Sequence, residues 1–563
     1  MRIRPLPFAL VLTFALCPLP FALVIVNAQQ PFNVVETTIA DIHAAFKAKR
    51  LTCAALVDAY LARIAAYDKQ GPSLNAVVIT NPEVRSQAAE LDRRYARSGL
   101  TGPLHCIPMV VKDNFETIGL QSANGSKSLE GFISSKDAFL VARIKAAGAL
   151  VIAKTNMAEF AFSPQETLSS IQGHTKNPYA TDRVPAGSSG GTAASVAASF
   201  ATVGLGSDTG NSIRGPSAHT ALVGIRSTMG LTSRAGVIPL SYLADIAGPM
   251  ARTVEDAVRV FQVIVGEDPE DAVTARSHGR KIPDYRASLV QNGLKGARIG
   301  ILRQAYERQN QTVDDDVVKV FAKALDDLKA AGATIVDQIT IERVQRPQGA
   351  GTCRGFKYDI NDYLSTRGKS APVHSLEEIV ASGKFDPSTA NRLKQAQSAT
   401  AGGGPDSDAC KAEMAYREAF GAAITKVMDE QKLDALVYPT WSHPPRLIAD
   451  TQMPTGDNSQ IYSPSSGFPA ITVPMGYTRD NTLPAGMTIL GRAWDEPTLI
   501  KLAYGYEQAT KHRRAPSTTP ALAQREPASE SERVARAEWG VRGPMSERVG
   551  VPAGAKPLGL MKK

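Results

Sequence analysis

Residues 185–217 read PAGSSGGTAASVAASFATVGLGSDTGNSIRGPS, and no other stretch limits the possible folds of this 563-residue chain as sharply. It carries seven glycines and seven serines, a single aromatic residue in Phe200, and no Lys, Glu or His. Ordinary core packing does not explain such a composition. Glycine is needed where the backbone takes φ > 0 or approaches another group closely. Serine hydroxyls beside such turns can act as nucleophiles or proton carriers, while the turn N–H groups face a developing oxyanion. A flexible Gly/Ser linker is the plain alternative. Against it, the apolar run Ala193–Val203 lies inside the stretch and would pin two Ser/Gly knots to an ordered helix and strand.

A serine hydroxyl attacks only after something takes its proton, and histidine is the usual acceptor. None of the eight histidines lies in the stretch; the nearest, His219, stands seven residues past Ser212, where a histidine more often packs as a polar residue. Lysine can replace histidine if burial or a neighbouring cation lowers its pKa. Lys112 has a suitable setting, because it follows the apolar run Ile107–Val111 and precedes Asp113-Asn114-Phe115. Such a run predicts a short buried strand. From the residues alone, a lysine snorkelling from a strand end is the commoner outcome.

The runs AGSSGGTAASVAA (Ala186–Ala198), GSDTGNSIRGPS (Gly206–Ser217) and VVKDNF (Val110–Phe115) together resemble the amidase signature family. AKTNMAEFA (Ala153–Ala161), KNPY (Lys176–Tyr179), GPMARTVEDA (Gly248–Ala257), GFPAITVPMGY (Gly467–Tyr477) and GMTILGRAWDE (Gly486–Glu496) extend the likeness, in order, over about residues 35–515. Many motifs at compatible spacing are far more specific than one short match. The resemblance implies an α/β amidase-signature fold, with a central mixed β-sheet covered by helices on both faces. It also implies a Ser–Ser–Lys triad. Ser212 is the nucleophile, Ser188 the bridging serine held by a cis peptide bond, and Lys112 the base; the separation of 24 residues between the two serines fits the pattern. The backbone N–H groups of Thr209, Gly210, Asn211 and Ser212 would form the oxyanion hole. Ser189 would support them by hydrogen bonding, and Asp208 and Arg214 would pin the turn without taking part in the chemistry.

The implied reaction is hydrolysis of a carboxamide C–N bond through an acyl-enzyme on Ser212, giving a carboxylic acid and ammonia or an amine. It needs no cofactor. Two positions depart from the family pattern: Asn211 and Ala186 stand where many relatives have glycine. Asn tolerates left-handed backbone, so the turn can survive while the side chain narrows or polarises the pocket.

Two other readings remain open. Gly187–Gly191 fits G-x-S-x-G, which would make Ser189 the nucleophile of an esterase-like hydrolase, although Asp182–Ala186 supplies no hydrophobic strand before it. The second is a non-catalytic secreted binding protein, or a relative of the amidotransferase component that works with partners on aminoacylated tRNA. Retention of Lys112, Ser188 and Ser212 speaks against a dead scaffold, since polar groups are costly to bury without use.

The N-terminus has Arg2 and Arg4, an apolar stretch over Pro7–Val26, and the small residue Ala28 before Gln29-Gln30. This reads as a secretory signal peptide over residues 1–28, cut near Ala28. Pro18 and Pro20 interrupt the stretch, so a kept membrane anchor is the weaker reading, and the expectation is a secreted or periplasmic protein. Residues 1–28 carry +2 and residues 521–563 carry +3 of the formal +9, leaving +4 on the body. No basic run marks a nucleic-acid surface, so the expected partner is a small-molecule or peptide amide. Four cysteines follow the signal: Cys53, Cys106, Cys353 and Cys410. An exported protein could form any pairing, and Cys353 with Cys410 is favoured because both lie in one intervening region. Neither Cys-x-x-Cys nor His-x-x-x-His occurs, and no metal is expected.

Along the chain, Thr38 caps a predicted helix with Ile39, Ile42 and Phe46 on one face, and Thr52 caps another with Leu56, Tyr60, Leu61 and Ile64. A strand to Lys112, a helix over 137–147 stopped at Gly148, and a strand over 149–153 then alternate, which indicates layered α/β structure. Thr253 caps a helix through Val265, 298–302 reads as a strand, strands follow at 470–474 and 487–491, and a helix spans 496–510. The amidase domain is expected over residues 29–520. Residues 345–430 break the rhythm, and the resemblance implies that an insertion there shapes the substrate entrance; 521–563 reads as a loose tail. Phe160, Phe162 and Trp441 are the aromatic candidates for a pocket wall, with core packing at least as compatible.

Overall fold

The computed structural model describes residues 32–309, 311–399 and 403–523. The expected signal peptide, and the expected tail beyond residue 523, lie outside the described residues.

Among the described residues the strands are β1 (Val77–Thr80), β2 (Pro108–Lys112), β3 (Leu150–Thr155), β4 (Leu168–Ser169), β5 (Gly173–His174), β6 (Val203–Asp208), β7 (Val223–Arg226), β8 (Ile246–Ala251), β9 (Arg298–Ile301), β10 (Thr334–Val336), β11 (Ala435–Pro439), β12 (Ala470–Thr478) and β13 (Leu483–Leu490). β4 and β5 form a small ribbon, and the other eleven make one sheet in the order β1-β3-β2-β6-β8-β7-β12-β13-β11-β9-β10. β2 runs parallel to β3 and to β6. The run from β6 through β8, β7, β12 and β13 to β11 is antiparallel, and β11, β9 and β10 are parallel again. β2, β3, β6 and β8 are buried at every position. A strand with no exposed residue is covered on both faces. Helix Gly190–Ala197 packs on β2, β6 and β8, Val254–Ile264 on β8, and Glu496–Thr510 on β12.

Local sequence explains most boundaries. The Thr38 hydroxyl accepts from the Asp41 N–H while the Asp41 carboxylate accepts from the Thr38 N–H, a complete capping box that starts helix Ile39–Lys47. Thr52 and Thr253 cap helices Cys53–Tyr67 and Val254–Ile264 in the same manner from one side. Leu56, Tyr60 and Ile64 are buried, and Leu61 is half-buried at the helix edge. β3 runs beyond the expected Ala153, because the charge of Lys154 hides the end of the strand from an apolar pattern; the ammonium is buried there and satisfied by backbone carbonyls.

The 345–430 segment folds as helices Gly355–Ser365, Leu376–Ser382, Ala390–Ser398 and Asp408–Glu430. Ile360, Leu364 and Leu393 join Phe160 and Phe162 in a separate apolar cluster, so this segment is anchored beside the Ser/Gly knots. Cys353 pairs with Cys410, as favoured, and Cys53 pairs with Cys106, which ties the second helix to the loop entering β2.

Candidate active site

Two adjacent parallel strands bring the critical side chains together. Lys112 is the last residue of β2, and β6 ends beside it at Asp208, where the chain turns through residues 209–212. Lys112 is fully buried, and its Nζ lies 2.7 Å from Ser188 Oγ, 2.8 Å from Ser207 Oγ and 3.4 Å from the Ser207 carbonyl. Burial disfavours the ammonium and pulls its pKa down to about 7, although Asp245 and Asp208 act in the opposite direction. The lysine therefore gives up its proton far more readily than a solvated one. The Gly187–Ser188 peptide bond is cis. Gly187 cannot be replaced easily, since a Cβ there would sit 2.1 Å from the Glu166 carbonyl oxygen. Ala186, by contrast, holds φ at 65° despite its side chain.

Ser212 is tied to the residue next to Ser188, its carbonyl accepting the Ser189 N–H at 3.3 Å. Ser188 Oγ and Ser212 Oγ share no hydrogen bond in this arrangement. Asp208 organises the turn: its carboxylate accepts from the Ile213 and Arg214 N–H groups, from Arg214 Nε at 3.1 Å and from Arg226 at 3.0 Å. Burial alone would raise its pKa, but the two guanidinium groups outweigh it and hold the carboxyl at about 2. Among the described residues, the N–H groups of Thr209, Gly210, Asn211 and Ser212 donate to no protein acceptor. Ser212, Thr209 and Gly210 line a cleft of about 710 Å³ together with Phe162, Asp457 and Gln460. The Ser212 hydroxyl and the unpaired N–H groups of Thr209 and Gly210 thus lie at one concave surface, while the Lys112–Ser188 pair is buried outside its lining.

The profile of the family described as Amidase matches residues 55–500. The chain belongs to the amidase family. A probable amidase of Arabidopsis thaliana is 33% identical over 533 residues, covering 90% of this chain and 96% of that relative. A glutamyl-tRNA(Gln) amidotransferase component of Thermosynechococcus vestitus is 33% identical over 85% of this chain and 99% of its own length. Among solved structures, native peptide amidase from Stenotrophomonas maltophilia superposes with a TM-score of 0.74 at 36% identity, over 86% of this chain and 99% of that one. This protein is accordingly a carbon–nitrogen amide hydrolase.

In this amidase the remaining sequence candidates take distinct places. Ser189 is fully buried, donates to the Ser207 carbonyl at 3.2 Å and does not line the cleft; nor does a strand precede it. That is the position of a supporting group and not of an exposed elbow nucleophile. Arg214 ties Asp208 to the Gly210 carbonyl (2.6 Å) and the Ser459 carbonyl (3.2 Å). Phe162 faces the cleft, but Phe160 and Trp441 do not, which corrects their placement in the pocket wall. Phe160 is sealed into the apolar cluster, and Trp441 stacks on His219 and donates Nε1 to the Gly215 carbonyl at 3.1 Å, bracing the helix that follows Ser212. Burial drops the His219 pKa to about 3, leaving a neutral packing ring.

Asn211 also needs correction. It does not take left-handed backbone, and its buried side chain turns toward Gly215, where a Cβ would come within 2.3 Å of Nδ2. It therefore does not narrow the cleft. Sequence reasoning missed Ser207, whose hydroxyl meets both Lys112 Nζ and, at 3.0 Å, Asn114 Nδ2. Both residues lie inside runs already singled out, but only the long-range contacts that the Ser207 hydroxyl makes with Lys112 and Asn114 mark them.

Proposed function

We propose that this protein is an exported serine amidase that works through an acyl-enzyme on Ser212, with Ser188 and Lys112 as the proton relay. The observation that carries the reading is the 2.7 Å contact between Ser188 Oγ and a buried Lys112 whose pKa is lowered to about 7, with the neighbouring Ser189 N–H bonded to the carbonyl of the cleft serine, Ser212. Ser212 Oγ attacks the amide carbonyl carbon and passes its proton to Ser188 Oγ, whose own proton moves to neutral Lys112 Nζ. The tetrahedral oxyanion forms against the unpaired N–H groups of residues 209–212. As the C–N bond breaks, the relay runs backward and protonates the leaving nitrogen, which cannot depart as an amide anion. Water then attacks the acyl-enzyme with the same relay, releasing the acid and restoring Ser212.

Asp208 and Arg214 set the turn's shape and do not exchange protons. Export is supported by the basic-then-apolar leader ending at Ala28 and by two disulfides, which persist in oxidising compartments. No described helix is long and apolar enough to cross a membrane. The similarity to a peptide amidase supports a peptide amide as substrate, and the export reading speaks against a tRNA-linked task.

A fluorophosphonate probe followed by peptide mass mapping tests the nucleophile: the label is expected on Ser212 in wild type and Ser189→Ala, with none in Ser212→Ala. Label on Ser189, or amide turnover surviving Ser212→Ala, refutes the scheme. Secretion from an expressing host, with a mature N-terminus at residue 29, tests the export reading.

A further inference from the structure

The cleft beside Ser212 holds more positive than negative side chains, and one of its cations is uncompensated. Arg346, Arg392 and Arg417 line it against Glu413 and Asp457. Glu413 is buried and is taken by Arg346 at 2.7 Å, with Arg417 at 3.7 Å. Asp457 accepts from Gln460 Nε2 at 2.6 Å and from the Ser459 N–H at 3.0 Å. Arg392 is different. Carried on helix Ala390–Ser398, it donates to the Phe162 carbonyl and lies over the Phe162 ring with its guanidinium carbon 4.3 Å from the centroid. Among the described residues it forms no ion pair.

Arg392 also lines a second hollow that contains Glu159 and Glu166, but both are occupied elsewhere. Glu159 accepts from Ser170, the Asp386 N–H and Thr389, and Glu166 is bound by Arg446 at 2.6 Å. A guanidinium laid on an aromatic face keeps its edge N–H groups in a planar fork that matches a carboxylate. Next to it the Phe162 and Phe356 rings meet edge to face at 4.8 Å, forming an apolar wall. Arg417, which donates Nη2 to the Pro464 carbonyl at 2.5 Å, adds positive charge on the same cleft.

We propose that the preferred substrate is an amide with an apolar body and a carboxylate group, and that Arg392 pairs with this carboxylate while the scissile carbonyl reaches Ser212. The proposal rests on the Ser212 reading above. An acid so placed replaces water on the guanidinium fork; a neutral isostere leaves the fork solvated and gains nothing.

The test compares matched substrates in wild type, Arg392→Met and Arg392→Lys. One pair, N-acetyl-Glu-Phe-amide against N-acetyl-Gln-Phe-amide, puts the charge on the acyl side. The other, N-phenylacetyl-4-aminobenzoate against its methyl ester, puts it on the leaving amine. The acidic member of one pair is expected to lead by about tenfold in kcat/KM at low ionic strength, and the lead should shrink as salt is added. In R392M the ratio should fall to about one, and R392K should keep part of it. The ratio is insensitive to the fraction of folded enzyme. Equal values for both pairs in wild type, or a preference intact in R392M, overturns the proposal. If none of the four is hydrolysed, equilibrium binding to Ser212→Ala protein supplies the same ratios, and absence of an acid preference there overturns it equally. Turnover that persists in Ser212→Ala would instead strike at the acyl-enzyme scheme and leave the charge preference to be read separately.

Discussion

Two fully buried lysines stand on neighbouring parallel strands, and their surroundings assign them opposite tasks. Lys112 on β2 meets two hydroxyls, those of Ser188 and Ser207, and only one distant carbonyl. Lys154 on β3 meets the carbonyls of Phe115 at 2.6 Å, Gln121 at 3.0 Å and Asp113 at 3.4 Å, the Ser122 hydroxyl at 2.9 Å, and the Asp113 carboxylate at 4.0 Å. Burial lowers both pKa values, to about 7 for Lys112 and about 8 for Lys154, where Asp113 and Glu116 resist the fall. Carbonyls can only accept, so Lys154 is useful as a donor and serves as a strut. Hydroxyls can also donate, so a neutral Lys112 can receive a proton from Ser188. The lesson is that burial alone makes a lysine titratable, whereas its partners decide whether a proton can travel.

The comparison breaks most visibly on replacing each amine. Lys112→Ala should lower kcat by about 10³-fold, within the range for a lost general base, with little change in melting temperature. Lys154→Met should do the reverse. Leaving the Asp113 carboxylate and three carbonyls without their cation should cost about 3–5 kcal/mol of stability, read by denaturant unfolding, while the protein that remains folded keeps its kcat. A Lys154→Met variant that unfolds normally yet is inactive would erase the distinction.

Ser207→Ala sharpens it. Loss of one acceptor that aims the amine at Ser188 should reduce kcat about tenfold, leave KM nearly unchanged, and be rescued by Ser207→Thr. A matching rise in KM would indicate a collapsed cleft instead. The smallest effect concerns pH. The active form is the neutral amine, so kcat/KM should rise through about pH 7 and then level off, and Lys112→Ala should abolish the rise. Asp245 favours the ammonium, so Asp245→Asn should move the midpoint downward by a fraction of a unit. An upward shift, or a flat wild-type profile, would remove Lys112 as the base.

Much of this site was legible from the chain itself. The three groups proposed as the relay lie in short runs whose spacing resembles one family, and the strand ending at Lys112 announced itself as five apolar residues in succession. The pocket was far less legible. Phe160, Phe162 and Trp441 are alike as sequence signals, yet only Phe162 reaches the cleft. Aromatic residues fill cores and line pockets for the same apolar reason, so residue type could not separate them. Arg392 and Arg417 were equally unremarkable as isolated charges in a polar segment.

The sequence by itself determined the chemical inventory: two serines and a lysine in family-like runs, part of the order of α and β elements, and a basic-then-apolar leader. These depend on residue identity and on spacing within a few dozen positions. The tertiary structure alone decided which buried lysine faces hydroxyls, which aromatic ring faces substrate, and which cations the 345–430 segment brings to the cleft. Each of those is a property of neighbours far apart along the chain, where desolvation, charge and hydrogen-bond direction are set only when the sheet and its covering helices assemble.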